Sequence, residues 1–111
     1  MEKFVKGDIV VIPFPFSDLS QSKRRPALIL SSLPGNDFLL CQITSQQIAD
    51  SFSIPLKNSD IEKGSLKLTS NIRPNRLFTA DKSLILYKVG SVKQSVLNSV
   101  IQKIIFILKE Y

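Results

Sequence analysis

The arginine residues of this 111-residue chain are confined to two short segments, which are the first candidates for chemistry. In the first segment, Lys23, Arg24 and Arg25 precede Pro26 and an apolar run. Proline forces the residue before it into an extended conformation, so neighbouring side chains are predicted to project to opposite sides. One guanidinium group would then lie over a sheet and the other in water. A loop whose charges are only solvated is the alternative.

Two further segments carry polar groups next to apolar runs. Thr44, Ser45 and Gln46 follow an apolar strand, where hydroxyl and amide donors can bind a phosphate oxygen. The same groups can instead cap the turn that follows, and the sequence alone favours that interpretation. The segment 71–76 (NIRPNR) contains Arg73 and Arg76 and is predicted to be a loop between two strands. Arginine is suited to bidentate phosphate contacts. The alternative is again a basic loop that is only solvated and binds no ligand.

Several residue types are missing, and their absence excludes whole classes of site. The chain has no histidine, which excludes Ser-His-Asp triads and histidine acid–base chemistry. Its single cysteine, Cys41, excludes an intramolecular disulfide and a Cys-rich zinc site, so no metal is expected. If the arginine segments meet in space, they form an anion site built without histidine or metal.

The overall composition favours a protein of the cytoplasm with an acidic or polyanionic partner. No apolar run approaches the roughly 20 residues of a membrane span, and the N-terminal MEKFVKGD lacks the apolar stretch of an export signal. The net charge is +6, which favours a polyanion, although such a surplus is also common in small soluble domains.

The pattern of apolar residues predicts one domain over residues 1–111, mainly β with a C-terminal helix. Strands are predicted at 8–12, 26–31, 38–44, 52–56, 65–72, 77–79 and 83–89, with a polar loop at 17–24. Two prolines after residue 12 argue against a central strand there. A helix is predicted over 91–109, with Ser91 and Gln94 as a capping box and an apolar stripe that includes Leu108. Phe106 and Ile107 lie partly off this stripe, which suggests an oligomer contact.

Four segments, in this order and spacing, resemble the MazF/PemK family of toxin–antitoxin ribonucleases: 7–16 (GDIVVIPFPF), 25–31 (RPALILS), 43–46 (ITSQ) and 72–82 (IRPNRLFTADK). The resemblance runs from about residue 6 to the C-terminus. It implies a small SH3-like barrel of the Kid/CcdB type and a homodimer. It further implies a sequence-selective, metal-independent endoribonuclease without cofactors, which cleaves single-stranded RNA by attack of a 2′-hydroxyl to leave a 2′,3′-cyclic phosphate. The implied partner is a small acidic antitoxin, with DNA binding only as the toxin–antitoxin complex.

The resemblance also implies roles for individual residues. Arg25 and Thr44 match the family's catalytic arginine and threonine. The implied RNA-binding residues are Lys23, Arg24, Ser45, Gln46, Arg73, Asn75 and Arg76. Two departures from the family pattern are that Asn75 stands where some members have an acid, and that 19–21 (LSQ) replaces a Glu-Gln or histidine element.

Two other functions remain open on the sequence. One is a non-catalytic member of the family that binds only RNA or antitoxin. The other is a CcdB-like gyrase poison, which would end in Trp-Gly-Ile, whereas this chain has no tryptophan and ends Lys109-Glu110-Tyr111. A ribonuclease without histidine is predicted to show no pH inflection near 6.5, unless burial raises the pKa of a carboxyl such as Asp18 or Asp81.

Overall fold

A computed structural model describes residues 3–14 and 23–111, and within them seven strands form one antiparallel sheet. The elements are β1 (Asp8–Phe14), β2 (Lys23–Ser32), β3 (Asp37–Thr44), β4 (Ile54–Leu56), β5 (Ile61–Gly64), β6 (Ser70–Asp81), β7 (Tyr87–Val92) and α1 (Gln94–Glu110). The strand order β4-β6-β3-β2-β1-β7-β5 curls into a nearly closed barrel. The predicted fold class is therefore confirmed, while positions 17–22 of the predicted loop lie outside the described residues.

Side chains that alternate along the central strands form two separate apolar clusters. Along β2, Leu28 belongs to one cluster and its neighbour Ile29 to the other, as the period of two in a strand requires. The first cluster packs against Leu97 and Val100 of α1 and is called the helix-side core. It also contains Cys41, where burial raises the pKa of the thiol to about 12 and keeps it protonated. The second cluster, called the opposite core, includes Val10, Ile12, Ala27, Ile29, Phe38 and Leu40.

The N-terminal strands are longer than the sequence predicts. Lys23 and Arg24, predicted to be loop residues, are the first residues of β2 and pair with Phe14 and Pro13. β1 accommodates Pro13 because its pairing with β7 ends at Val11. Beyond that point β1 pairs only with β2 among the described residues, so a residue without an N–H is tolerated.

The predicted loop at 71–76 does not exist, because these residues lie inside the 12-residue strand β6. The register jumps from a Cys41–Leu77 pair to a Gln42–Arg73 pair. The three residues 74–76 therefore bulge out of an otherwise continuous strand, and Pro74 within them has no N–H to contribute to a ladder. Positions 65–69, predicted as strand, lie outside any strand, and the preceding strand β5 ends at Gly64.

The last strand and the helix begin later than predicted. Asp81 accepts a hydrogen bond from Ser83 N (2.8 Å) and caps a 3-10 turn at Lys82–Leu84, so β7 starts only at Tyr87. The predicted capping box is wrong, because Ser91 pairs within the sheet and the N-cap of α1 is Lys93. Gln94 instead donates from Nε2 to Asn98 Oδ1 (3.0 Å).

The sheet covers the helical stripe only as far as Ile104. Leu97 and Val100 are buried, and Ile101 and Ile104 pack partly buried against the helix-side core. By contrast, Ile105 is 38%, Phe106 49% and Leu108 71% exposed. The predicted stripe therefore packs on the sheet at Leu97 and Val100 but not at Leu108. Within 3–14 and 23–111, no helix is long and apolar enough to cross a membrane.

This difference in burial predicts different costs for the same substitution. Leu97→Ala is expected to lower the free energy of unfolding by about 2–5 kcal/mol, since it leaves a cavity in the helix-side core. Leu108→Ala should change it by less than about 0.5 kcal/mol. Urea denaturation followed by circular dichroism measures both. Equal costs would contradict the packing described for α1.

Candidate functional site

A row of polar side chains crosses the sheet where β2, β3 and β6 lie side by side. Thr44 pairs directly with Asn71 of β6. On its other side, β3 pairs Gln42 with Ala27, the last pair of that ladder, and Thr44 and Arg25 lie two residues beyond it on the two strands. Directly opposed residues of antiparallel strands project to the same face. The row therefore continues the face of the opposite core, where Ala27 and the other apolar residues give way to Arg25, Gln42 and Thr44.

Three arginines from two segments of the chain, Arg25 of β2 and Arg73 and Arg76 of β6, meet at this face. They line a cavity of about 330 Å³, called the main cavity. Its described lining residues are Phe14, Arg25, Gln42, Ile43, Thr44, Gln46, Ile48, Arg73 and Arg76. None of these is acidic, so three guanidinium charges act on one small volume and attract anions.

A second cavity of about 240 Å³ lies beside the main cavity. Its described lining residues are Arg24, Arg25, Pro26, Ile43, Thr44, Ser45, Leu66, Lys67, Leu68 and Ser70. Arg25 and Thr44 line both cavities and so form part of the wall between them. Of the two neighbouring arginines, Arg24 lines only the second cavity and Arg25 lines both.

The Thr44 side chain both caps a turn and faces the cavities. Its Oγ1 accepts a hydrogen bond from Gln46 N (3.1 Å), which is the turn-capping role that the sequence favours. A hydroxyl has one proton to donate besides its two acceptor lone pairs. Because the backbone N–H occupies an acceptor position, the proton of Thr44 is available to donate to a bound oxygen. The two roles that the sequence left as alternatives are compatible.

A carboxylate that the sequence analysis missed fixes Arg73. Arg73 Nη2 donates to Asp50 Oδ2 at 3.2 Å, and Asp50 Oδ1 accepts from the N–H groups of Phe52 (3.0 Å) and Ser53 (2.9 Å). Partial desolvation raises the pKa of Asp50, but the hydrogen bonds from Ser53, Phe52 and Arg73 outweigh it, so the pKa lies below its ordinary value. Asp50 is therefore ionised at neutral pH.

The structure brings most of the predicted site residues together, but not all. Arg25, Thr44, Gln46, Arg73 and Arg76 line the main cavity, and Arg24 and Ser45 line the second. Lys23 and Asn75 are exposed and line neither cavity.

The carboxyls predicted to report on pH do not have raised pKa values where the structure describes them. Asp81 is exposed, and hydrogen bonds from Ser83 hold its pKa below the ordinary value. Asp18 lies outside the described residues. In the described part of the chain, no three histidine, cysteine, aspartate or glutamate side chains come together in a group that would hold a metal ion.

Several contributors to the site carry weak sequence signals. Gln42 is a polar residue inside an apolar strand, and Ile48 has no distinguishing signal. Asp50 precedes Ser-Phe-Ser, a pattern typical of an aspartate that accepts from the backbone two and three residues ahead. Asn71 Nδ2 donates to Gln46 O (3.2 Å) and so ties the turn after β3 to β6.

Comparison with known protein families identifies the group to which this site belongs. A sequence model of the PemK-like, MazF-like toxins of type II toxin–antitoxin systems matches residues 5–108. The chain belongs to this toxin family. The match covers every predicted site residue of the toxin.

Solved structures share the whole fold of the toxin at low sequence identity. MazF from Deinococcus radiodurans is 22% identical, with 98% of this chain and 99% of that chain covered and a TM-score of 0.77. The MazE–MazF complex from the same organism is 20% identical, with 97% of this chain and 98% of that chain covered and a TM-score of 0.77. An endoribonuclease in complex with its cognate antitoxin, from a mycobacterial species, is 15% identical, with 98% of each chain covered and a TM-score of 0.77. No curated protein sequence shows significant similarity.

The arginines of the main cavity predict binding of polyanions with a measurable salt dependence. Single-stranded DNA serves as a probe that carries phosphates but no 2′-hydroxyl. Arg76→Ala should weaken its binding and reduce the slope of log affinity against log salt by about 0.7, the value for one lost phosphate contact on a single strand. Lys93→Ala removes one charge from a residue that lines neither cavity and should leave the slope unchanged. Equal slopes for the two variants would contradict a polyanion site at the main cavity.

Proposed function

We propose that this toxin is an endoribonuclease that cleaves single-stranded RNA at the wall between the two cavities. The observation that carries the proposal is the position of Arg25 and Thr44, which line both cavities while Arg73 and Arg76 line the main one. A strand of RNA laid across this wall would place its scissile phosphate against both side chains. The flanking nucleotides would then lie on the two sides, near the other arginines.

The proposed reaction is an internal transfer at phosphorus. The ribose 2′-oxygen loses its proton and forms a bond to the 3′-phosphorus, while the bond from phosphorus to the 5′-oxygen breaks and that oxygen takes up a proton. The products are a 2′,3′-cyclic phosphate and a 5′-hydroxyl. Negative charge grows on the non-bridging phosphate oxygens during the step, so donors fixed at those oxygens accelerate it.

Arg25 and Thr44 supply such donors. The Arg25 guanidinium is positively charged at all relevant pH values, and the Thr44 hydroxyl is held by Gln46 N with its proton free to donate. Arginine is a poor base because its guanidinium keeps its proton in proteins. Arg25 is therefore proposed as an electrostatic stabiliser, with Lys23, Arg24, Ser45, Gln46, Arg73, Asn75 and Arg76 as the RNA-binding set.

The net charge of the toxin and the structures similar to it support two kinds of partner. Structures of related fold include a mycobacterial endoribonuclease with its antitoxin and the MazE–MazF complex. We propose that a small acidic antitoxin neutralises this toxin, whose net charge is +6, and that it acts on RNA in the cytoplasm. The exposed Ile105 and Phe106 of α1 support a homodimer.

The first test of this proposal is substitution of Arg25 and Thr44, the two polar residues that line both cavities. Arg25→Ala and Thr44→Ala should each reduce cleavage of a long RNA by about 10²–10³, the usual cost of a lost transition-state donor. Thr44→Ser keeps the hydroxyl and should keep most activity. Arg24→Ala removes the neighbouring guanidinium, which lines only the second cavity, and should cost far less.

Mapped cut sites and unchanged thermal unfolding complete this test. Near-wild-type cleavage by Arg25→Ala would remove the assignment. RNA that is retarded on a gel but left intact by the wild-type toxin would indicate the non-catalytic alternative. Gyrase inhibition without RNA cleavage would indicate the gyrase poison.

The second test concerns metal and pH. We expect cleavage to persist in EDTA and to rise smoothly from pH 5 to 8 without an inflection near 6.5. The described residues lining the two cavities offer arginine, lysine, hydroxyl and amide groups, whose ordinary pKa values lie outside this range. Asp50 stays ionised there because its pKa is lowered. Loss of activity in EDTA that Mg²⁺ or Mn²⁺ restores would overturn the metal-independent scheme.

A further inference from the structure

We propose that Asp50 is a positioning residue that presents Arg73 to the phosphodiester backbone at the main cavity. This inference rests on the proposed function for its substrate, and it adds a residue that the family-derived site set does not contain. Asp50 does not line either cavity. It acts through Arg73, which does.

The two oxygens of the Asp50 carboxylate have separate tasks. Oδ1 accepts both backbone hydrogen bonds, from Phe52 and Ser53. Oδ2 accepts the hydrogen bond from Arg73 Nη2. The carboxylate is thus anchored on its own segment before it meets the guanidinium. The side chains of Arg73 and Asp50 are only 17% and 26% exposed, so water screens this ion pair less than a surface pair.

Like charge around the cavity explains why such an anchor is needed. Arg25, Arg73 and Arg76 line one cavity of about 330 Å³, and their mutual repulsion favours conformations in which the long side chains point away. Among the described residues, Arg73 is the member of the three that forms an ion pair. The ion pair with Asp50 keeps the Arg73 side chain at the cavity. It also restricts that side chain in advance, so less conformational entropy is lost when a phosphate binds.

A second observation points to a ligand beside Arg73. Its Nε is buried and has no hydrogen-bond partner among the described residues. A buried donor without an acceptor is unfavourable, and a guanidinium offers five N–H donors of which Asp50 engages Nη2. Arg73 lines the main cavity, where a phosphate oxygen or a sugar hydroxyl would accept from the guanidinium N–H groups that Asp50 leaves unengaged. The ion pair therefore holds a guanidinium that still has N–H groups to donate.

The alternative is that Asp50 only stabilises the segment between β3 and β4. That segment carries Gln46 and Ile48, which line the main cavity. Its Phe52 ring packs edge-on against the Tyr111 ring, with 5.7 Å between the ring centroids. Asp50→Asn separates the two roles. Asparagine keeps an oxygen that accepts from Phe52 and Ser53, but it loses the negative charge that engages Arg73.

The experiment is a double-mutant cycle of Asp50→Asn and Arg73→Ala, read on two activities. The first readout is the single-turnover cleavage of an RNA oligonucleotide with one mapped cut site. The second is the affinity for single-stranded DNA at low salt. Asp50→Asn should reduce cleavage about tenfold in the wild-type background and should have almost no further effect in the Arg73→Ala background. Its effect on DNA affinity should likewise disappear in the Arg73→Ala background.

Asp60→Asn is the matched control. Asp60 Oδ2 also accepts a backbone hydrogen bond, from Lys57 N (2.9 Å), but Asp60 lines neither cavity. It should leave both readouts unchanged. Thermal unfolding of every variant shows that each is folded before activities are compared.

Three results would overturn or separate the proposals. Equal activities of Asp50→Asn and Asp60→Asn would overturn the positioning role. An undiminished effect of Asp50→Asn in the Arg73→Ala background would also overturn it, because Asp50 would then act without Arg73. If the wild-type toxin cuts no RNA, the proposed function fails, while coupling in DNA affinity would still support the positioning role.

Discussion

The site depends on the register of β3 with its two neighbours. Pairing with β2 on one side and with β6 on the other fixes which side chains face each other, because a shift of one residue would move a whole strand's side chains to the other face. Thr44 thereby pairs directly with Asn71, and it lines the same cavities as Arg25. In a regular strand, two residues three positions apart project to opposite faces. The bulge at 74–76 breaks this rule, so Arg73 and Arg76 line the same cavity. Apolar packing on both faces of the sheet holds the register in place.

Repulsion between positive charges destabilises the site, because the arginines of the main cavity lie close together on β2 and β6. Three guanidinium groups around one cavity repel one another, and the apolar clusters beneath them provide no compensation. One carboxylate, Asp50, compensates in part, since two backbone N–H groups and Arg73 hold it in its charged form. An anionic ligand would supply the remaining compensation. A site of this kind binds a phosphate without histidine, and its charge changes little between about pH 5 and 8.

The sequence predicted the features that depend on neighbouring residues and missed those that depend on contacts between distant parts of the chain. β3 was predicted almost to the residue because only Gln42 interrupts its apolar run, and Arg25 and Thr44 were identified from strand ends and from the family resemblance. The segment 71–76 was predicted as a loop because proline, asparagine and arginine are typical of loops. In the structure the pairing of β6 with β3 continues on both sides of these residues, so long-range pairing overrides the local preference. The same reason removes the capping box, since Ser91 is engaged by the sheet.

The sequence by itself determined the type of chemistry and the alternation of buried and exposed positions. The absence of histidine, the confinement of the arginines to two segments and the period of two along the strands follow from composition and local stereochemistry. Only the tertiary structure decided which groups meet. Asp50 and Arg73 are 23 residues apart, and no local pattern encodes their contact. It arises because the turn after β3 returns the chain to β6, which is a consequence of packing and strand pairing rather than of local preference.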